Sequence, residues 1–276
     1  MPKFTDILAQ FREMNTDFLY SLMESMSESG LLNDSRIKQA MYDIRIEDFI
    51  TFEMIQTFLP EEHAKADSIE DIPSEVLVKI LAFLFMSFYQ NRPLAFYNHE
   101  KYGRTTSAPH MIAIMAQVIG VEEGDNILIL GSKSGYFECV VQAIDANVKL
   151  HIVEKVPEIY EITRGNLERL GTGEVNIHLA DPILDLPELI GSIDSVDHFD
   201  KIFITGYLAE LPRQLMSYLE LEGQICGPFG SPGGQDLVRY LKIGTSNDAF
   251  TLEPLMQVIY SPLITDWLPG EDEDNF

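Results

Sequence analysis

The sequence contains few residues that could crosslink the chain or bind a metal ion. Only two of its 276 residues are cysteine, and Cys139 and Cys226 belong to no Cys-x-x-Cys or Cys/His pattern. The sequence therefore predicts neither a disulfide scaffold nor a zinc site. A chain of this length can bury a sizeable core without such crosslinks, and its 46% apolar content is typical of a globular protein.

Basic residues are also scarce. The chain has 19 Lys and Arg against 44 Asp and Glu, which gives a formal charge of −25. No run of basic residues concentrates positive charge, so a phosphate backbone is repelled and we expect no nucleic-acid partner. The acidity fits solubility or a salty cytosol better than it fits a basic partner.

Long apolar runs are absent. The richest run, 76–89, is interrupted by Lys79 and Ser87 and is too short to cross a bilayer. No basic N-terminal stretch leads into a hydrophobic segment with a small-residue cleavage site. We therefore expect a cytoplasmic protein with no membrane contact.

The first third of the chain has the pattern of helices. Residues 3–28 place apolar side chains at helical spacing, and Gly30 ends that stretch. Ser35 and its two predecessors offer capping side chains for a helix that continues to about Met41. We predict a mainly helical N-terminal region over 1–95, with an insertion near 56–90 that contains a polar connection and another apolar helix.

Further along the chain, strand patterns alternate with helix patterns. This alternation predicts an α/β fold, a doubly wound and mostly parallel sheet over residues 96–265, followed by an acidic tail over 266–276. The predicted strands are 126–130, 149–153, 175–179, 199–205 and 223–228. The predicted helices are 108–119, 136–144, 157–170 and 209–219.

Ligands of such sheets bind beyond the carboxyl ends of the strands, so the residues that follow each strand are informative. The glycine loop, residues 131–135, follows the first strand and can bring a ligand close to its backbone. Glu154 follows the second strand, where a carboxylate can accept the hydroxyl hydrogens of a ribose. Asp181 follows the third and can reach an exocyclic amine. Together these residues predict a nucleoside pocket.

The glycine loop narrows the choice of cofactor. Its sequence, Gly-Ser-Lys-Ser-Gly, contains neither a phosphate-binding P-loop nor a Gly-x-Gly-x-x-Gly motif. ATP hydrolysis and dinucleotide binding are therefore disfavoured. A cofactor without a pyrophosphate fits better.

One segment resembles a known family signature. Residues 102–111, Tyr-Gly-Arg-Thr-Thr-Ser-Ala-Pro-His-Met, resemble the Gly-x-Thr-x-Ser-x-Pro-His-Met motif of protein-L-isoaspartate O-methyltransferases. Residues 31–41, 199–202 and 227–230 are similar to other parts of that family. The resemblance covers about residues 20–265.

The resemblance implies a Rossmann-like class I methyltransferase fold with S-adenosylmethionine as cofactor. It also implies methylation of the α-carboxylate of isoaspartyl residues in damaged proteins, whose methyl ester can cyclise and reopen, partly to normal aspartate. Ser107 is then the catalytic hydroxyl beside the attacking carboxylate, and the residues implied in binding the acceptor are Thr106, Ser107 and Ala108. The residues assigned to the cofactor are His110, Gly131, Ser132, Gly135, Glu154 and Asp181. An alternative for His110 is a histidine that only satisfies its own hydrogen bonds at a helix start.

The chain also departs from the family pattern. Ile129 stands where the family has an acidic residue, and Lys133 replaces the central loop glycine, where we expect it to crowd the methionine part of the cofactor. An alternative hypothesis is thus a catalytically weakened member that acts as an interaction or complex subunit, with a protein partner bound through the N-terminal helices. A third hypothesis keeps methyl transfer but changes the acceptor. Lys133 pointing to solvent or to the cofactor's carboxylate favours an enzyme, whereas Lys133 filling the pocket or pairing with a nearby acid favours the subunit.

Overall fold

The structure, a computed structural model, describes residues 4–99, 102–170, 175–192 and 198–269. Most of the predicted acidic tail, 270–276, lies outside these residues. The chain forms two compact units. The first comprises 1–117 with 133–144, and the second comprises 118–132 with 145–276. The predicted boundary near residue 95 stays a prediction.

The first unit is built mainly from helices. Its helices are α1 (Phe4–Met14), α2 (Thr16–Glu28), α3 (Ser35–Asp43), α4 (Phe52–Gln56), α5 (Ser74–Tyr89), α6 (Pro109–Ile119, whose last two residues fall in the second unit) and α7 (Tyr136–Ile144). A hairpin of β1 (Ala95–His99) and β2 (Tyr102–Thr105) lies between α5 and α6 in the chain. Asp34 caps α3 as predicted, because its carboxylate accepts a hydrogen bond from the amide of Arg36 at 2.8 Å.

Aromatic rings connect α7 to the rest of the first unit. The fully buried Tyr136 ring meets Phe49 edge-on at 5.1 Å and Phe88 edge-on at 5.6 Å between centroids. Such edge-to-face pairs each add about 0.5–1.5 kcal/mol beyond the burial of their area. The start of α7, directly after the glycine loop, is therefore firmly anchored.

The first unit also contains a buried polar cluster around Glu47. The Glu47 carboxylate, 1% exposed, accepts hydrogen bonds from Asn15 at 2.9 Å, from the Tyr89 hydroxyl at 2.9 Å and from Arg45 at 3.2 Å, all on Oε1. Arg45 also donates to the backbone carbonyl of Arg12 at 2.9 Å. Burial and the neighbouring Glu47 carboxylate raise the pKa of Tyr89, so its hydroxyl remains a hydrogen-bond donor.

The second unit contains a seven-stranded sheet in the order β5-β4-β3-β6-β7-β8-β9. The strands are β3 (Asn126–Leu130), β4 (Lys149–Glu154), β5 (Val175–Leu179), β6 (Phe199–Ile204), β7 (Leu219–Ser231), β8 (Gly234–Lys242) and β9 (Phe250–Val258). The strand pairs β5–β4, β4–β3, β3–β6 and β6–β7 are parallel. The pairs β7–β8 and β8–β9 are antiparallel. The helices α8 (Pro157–Leu170) and α9 (Leu186–Ser192) follow β4 and β5 in the chain. The predicted doubly wound, mostly parallel α/β fold is confirmed.

One predicted helix is wrong. Residues 209–219 were expected to form an α-helix, but only a short 3-10 helix, Arg213–Tyr218, is present. Pro212 immediately precedes it, and a proline disfavours helical conformation in the residue before it. Leu219, the last predicted helical residue, instead begins β7.

Residues 260–268, here called the C-terminal segment, lie along the carboxyl end of the sheet in the second unit. The amide of Tyr207, just after β6, donates to Ser261 O at 2.9 Å, and the amide of Leu263 donates back to Tyr207 O at 3.0 Å. A Cβ atom on Gly206 would lie 2.5 Å from the Leu263 nitrogen, so this approach requires glycine. Leu263 and Trp267 are buried in the core of this unit.

None of the helices in the described parts of the chain has the length and hydropathy needed to cross a bilayer.

Candidate functional site

The signature segment lies in the first unit, where β2 leads into α6. Thr106, 2% exposed, is fixed by two hydrogen bonds with Leu94: its amide donates to Leu94 O at 2.7 Å, and its hydroxyl accepts from the Leu94 amide at 3.2 Å. The carbonyl of Ala108 accepts from Met111 and Ile112 in the first turn of α6. Ser107 lies between these two fixed residues, so its backbone has a defined position, and its side chain is only partly buried.

Lys133 approaches this serine. Its Nζ donates to Ser107 Oγ at 3.5 Å, and its backbone amide donates to Glu138 at 3.3 Å. Loss of hydration lowers the pKa of Lys133 to about 8; the Arg104 guanidinium contributes to this and the Glu138 carboxylate opposes it. The lysine thus faces the hydroxyl predicted to be catalytic, an orientation that the sequence did not predict.

The backbone of the glycine loop explains why a lysine is tolerated at its centre. The left-handed φ values of the loop belong to Gly131 (+78°), Ser134 (+55°) and Gly135 (+82°), and not to Lys133. Glycine is strongly favoured only at positions whose φ value lies in this left-handed region. Position 133 therefore accepts a side chain without backbone strain.

His110, at the start of α6, forms hydrogen bonds with Asn91. Its amide and its ring Nδ1 each lie 2.9 Å from the side-chain oxygen of Asn91. Because that oxygen only accepts, Nδ1 carries the proton. Burial lowers the pKa of His110, so the ring favours its neutral form. This geometry matches the helix-start alternative, and a role toward the cofactor stays a prediction.

In the second unit, Glu154 ties the glycine loop to the end of β4. Its Oε2 accepts from the Ser132 amide at 2.8 Å and its Oε1 from the Val156 amide at 2.8 Å. The Ser132 hydroxyl shares a short hydrogen bond with Thr163 on α8. Two backbone amides thus fix the orientation of the Glu154 carboxylate at the end of β4.

Gly131 completes this part of the site. Its amide donates to Val153 O at 2.8 Å, and its carbonyl accepts from the Thr205 hydroxyl at 2.9 Å. A Cβ atom there would lie 2.7 Å from a Leu263 methyl group. The structure thus brings Gly131, Ser132 and Glu154 together, as the strand-end argument predicted.

Asp181 binds the C-terminal segment. Its Oδ1 accepts from the Thr265 hydroxyl at 2.7 Å and from the amides of Ile183 and Leu184 at 3.0 Å. Its Oδ2 accepts from the Asp266 amide at 2.7 Å and from Lys155 at 2.9 Å. Burial alone would raise the pKa of Asp181, but these hydrogen bonds, that from Thr265 foremost, outweigh it and lower the pKa to about 2. Its predicted contact with the cofactor stays a prediction.

The sequence did not point to the residues that hold these side chains. No sequence motif includes Thr163, Lys155 or Thr265. Thr265 also lies 84 positions from Asp181 in the chain. One available signal was the position of Lys155 directly after Glu154 at the end of β4. Thr163 and Thr265 carried no local signal.

The sequence was compared with protein families. The model of the family described as protein-L-isoaspartate(D-aspartate) O-methyltransferase matches residues 19–267. The chain belongs to this family. Both the signature segment and the glycine loop lie inside the matched range.

Relatives with this name occur in archaea. The protein-L-isoaspartate O-methyltransferase of Methanococcoides burtonii is 35% identical over 164 residues, which cover 59% of this chain and 76% of the relative. That of Methanococcus maripaludis is 33% identical over 164 residues, with 72% of the relative covered. The Ignicoccus hospitalis enzyme is 26% identical over 220 residues and is covered to 96%.

Solved structures of the same family share the fold. A protein-L-isoaspartate O-methyltransferase superposes with a TM-score of 0.65 at 20% identity over 88% of this chain, which spans 65% of that structure. A putative protein-L-isoaspartate O-methyltransferase from Plasmodium falciparum, in complex with S-adenosyl-L-homocysteine, superposes with a TM-score of 0.61 at 19% identity, over 89% of this chain and 98% of its own. Family membership confirms the predicted enzyme class, an S-adenosylmethionine-dependent protein-L-isoaspartate O-methyltransferase.

Proposed function

We propose that this protein methylates the α-carboxylate of L-isoaspartyl residues in proteins and peptides, and that Ser107 holds that carboxylate. The observation that carries the assignment is the partly exposed Ser107 hydroxyl, which lies between the hydrogen-bonded Thr106 and the start of α6 and accepts from Lys133. A carboxylate is ionised at pH 7, so the acceptor needs no general base. The task of the protein is then to position and desolvate it.

The second unit supplies residues that fit S-adenosylmethionine. Glu154 is 4% exposed at the end of β4, and a carboxylate at that position is the kind of group that accepts the hydroxyl hydrogens of a ribose. When bound, S-adenosylmethionine supplies a sulfonium whose methyl group passes to the acceptor oxygen. We propose that Glu154 and the loop residues Gly131 and Ser132 hold the cofactor, and the role expected for Gly135 stays a prediction.

The first test of this cofactor assignment is Glu154→Gln. The variant keeps the shape but removes the charge, and we expect S-adenosylhomocysteine to bind about 10–100-fold more weakly, the equivalent of roughly 1.5–3 kcal/mol. Isothermal titration calorimetry measures the affinity. The glutamine side chain of the variant also faces the backbone amides of Ser132 and Val156, so the substitution can change stability. The melting temperature of the variant is therefore measured together with its affinity.

Glu158→Gln, on the exposed surface of α8, is the matched control and should bind like the native protein. Unchanged affinity in Glu154→Gln would remove Glu154 from the cofactor site.

Ser107→Ala tests the acceptor assignment. Loss of a hydrogen bond to an ionised group should lower kcat/KM for an isoaspartyl peptide by about 10-fold or more. S-adenosylhomocysteine affinity should stay native, because the substitution is confined to the signature segment. The control substrate is the same peptide with normal aspartate, which should not be methylated. Native turnover in Ser107→Ala would be incompatible with the assigned role.

The remaining expectations from the sequence stay predictions. They are cofactor contacts from His110 and Asp181, a cytoplasmic location, no nucleic-acid or membrane partner, and a protein partner at the N-terminal helices.

In the first unit, α1, α2 and α5 do form an apolar cavity of about 270 Å³, with Phe11, Met14, Phe18, Phe85 and Met86 in its walls. Met14, Phe18 and Met86 are each at least 60% exposed.

A further inference from the structure

The cavity between α1, α2 and α5, here called the N-terminal groove, is open to solvent. Met14, Phe18 and Met86 are exposed at its mouth, whereas Phe11 and Phe85 are buried at its base with their ring centroids 5.2 Å apart. A group of exposed apolar side chains marks an interaction site, unlike a single one. None of the described residues in the walls of the groove is assigned to methyl transfer.

The groove is held open by the buried polar cluster. Asn15 and Tyr89 both line it, and each donates a hydrogen bond to the Glu47 carboxylate at 2.9 Å. That carboxylate also pairs with Arg45. These contacts preform the groove, and a preformed site loses less conformational entropy when it binds a ligand.

The shape of the groove suits a helix. Its wall residues on α1 and α2 are spaced i, i+3, i+4 and i+7 between Phe11 and Phe18, a span of about 10 Å or two helical turns. An amphipathic helix that binds in such a groove uses the same spacing for its own apolar side chains. The volume of about 270 Å³ lies just below the range of roughly 300–1,000 Å³ that is usual for small-molecule pockets. A few side chains of a helix therefore fit it better than a free small molecule.

Acidic side chains lie beside the groove. Glu13 and Asp17 are exposed, and each directly precedes an exposed wall residue in the chain. Together α1, α2 and α5 contain six acidic and two basic residues, and one of the two bases, Arg12, pairs with Asp48. Over the whole chain the acidity fits solubility, but here it borders an exposed apolar surface. This combination favours a partner that is both apolar and basic.

The same charges disfavour two other occupants. A second copy of this chain would bring Glu13 and Asp17 of two grooves close together, and like charges across an interface cost free energy. The segment 270–276 of the chain itself contains four acidic residues, so the groove repels it as well.

We propose that the N-terminal groove binds a basic amphipathic helix of a partner protein. The apolar side chains of that helix enter between Phe18 and Met86, and the lysine and arginine side chains on its flanks face Glu13 and Asp17. The methionine side chains of the groove are flexible and adapt to the shape of the bound side chains. This inference goes beyond methyl transfer and does not depend on it.

The test uses the full chain and a labelled synthetic peptide of about 14 residues, roughly four helical turns. The lysine helix has leucine at helical spacing and lysine elsewhere. One control peptide has glutamate in place of lysine, and a second has the residues of the lysine helix in scrambled order. By fluorescence anisotropy, the lysine helix should bind at least about 10-fold more tightly than either control. Raising the salt concentration from about 0.1 M to 0.5 M should weaken its binding.

Substitutions locate the binding site. Phe18→Gln combined with Met86→Gln removes apolar surface without adding charge and should weaken binding of the lysine helix about 10-fold. Glu13→Gln combined with Asp17→Asn should weaken it severalfold and reduce its salt dependence. Leu221→Gln, at a 57% exposed position of β7 in the second unit, is the matched control and should bind like the native protein.

Each contrary result has a defined meaning. Equal affinity for the lysine and glutamate helices, or native affinity in the Phe18→Gln and Met86→Gln variant, overturns the inference. Self-association of the native protein in analytical ultracentrifugation that this variant loses assigns the groove to a second copy and also overturns it. Absence of S-adenosylhomocysteine binding by the native protein overturns the proposed function alone.

A measurement on the native protein guards against misfolded variants. The lysine helix is synthesised with a photoreactive leucine and crosslinked to the native chain, and the crosslinked positions are identified by mass spectrometry. Crosslinks within α1, α2 and α5 support the inference, and crosslinks found only elsewhere overturn it.

Discussion

Glu47→Ala is expected to lower the free energy of unfolding by about 3–5 kcal/mol, because it removes one partner of a buried ion pair. The Glu47 carboxylate is 1% exposed and compensates Arg45, which is 7% exposed. Without it, Arg45 keeps only the Arg12 carbonyl among the hydrogen bonds described above, and the donors on Asn15 and Tyr89 lose their acceptor.

Urea denaturation followed by circular dichroism measures the change. Glu28→Ala, on the exposed end of α2, should change the unfolding free energy by no more than about 0.5 kcal/mol. A loss below about 1 kcal/mol in Glu47→Ala would mean that the cluster relaxes around the missing carboxylate and that the ion pair is dispensable.

Asp181→Ala should destabilise the second unit by about 3 kcal/mol at pH 7, because five hydrogen-bond donors lose a charged acceptor. The effect should depend on pH in a defined direction. The pKa of Asp181 falls from 3.8 to about 2 on folding, so its stabilisation is fully present above pH 4 to 5 and is lost as the pH falls toward 2. That part amounts to roughly 2 kcal/mol.

Urea unfolding of native protein and variant at pH 5, 4 and 3 tests this directly. The difference between them should shrink as the pH falls, whereas Glu188→Ala, exposed on α9, should show no such trend. A difference that stays constant or grows toward pH 3 would contradict the assignment of the charged carboxylate as the stabilising form.

The sequence predicts those parts of the fold that local patterns determine. The helices at 136–144 and 157–170 begin and end where periodicity placed them. The helix expected at 209–219 fails because Pro212 interrupts it, an effect that apolar spacing does not capture. Strands β8 and β9 were not predicted at all. Most side chains of β9 are exposed, so the strand lacks the buried apolar alternation that indicates a strand.

For the site, the strand-end rule predicts positions but not partners. It places Glu154 and the glycine loop together, and their hydrogen bond shows that contact. It does not predict that Asp181 is surrounded by donors from the C-terminal segment, because that contact depends on tertiary structure. For Lys133, crowding of the cofactor stays a prediction, and the left-handed backbone angles of the loop belong to its neighbours Gly131, Ser134 and Gly135. Long-range contacts of this kind leave no periodic trace.

The C-terminal segment sets a limit for the engineering of shortened variants. Sequence position alone would class residues 260–268 as trimmable, but tolerance to truncation depends on the burial and hydrogen bonding of the backbone removed. Here that backbone pairs with Tyr207, its Leu263 lies against Gly131, and its Trp267 is in the core. A deletion that starts at residue 260 would thus uncover the first glycine of the loop and release Asp181 at the same time. Fusion partners and affinity tags belong after this segment, not in place of it.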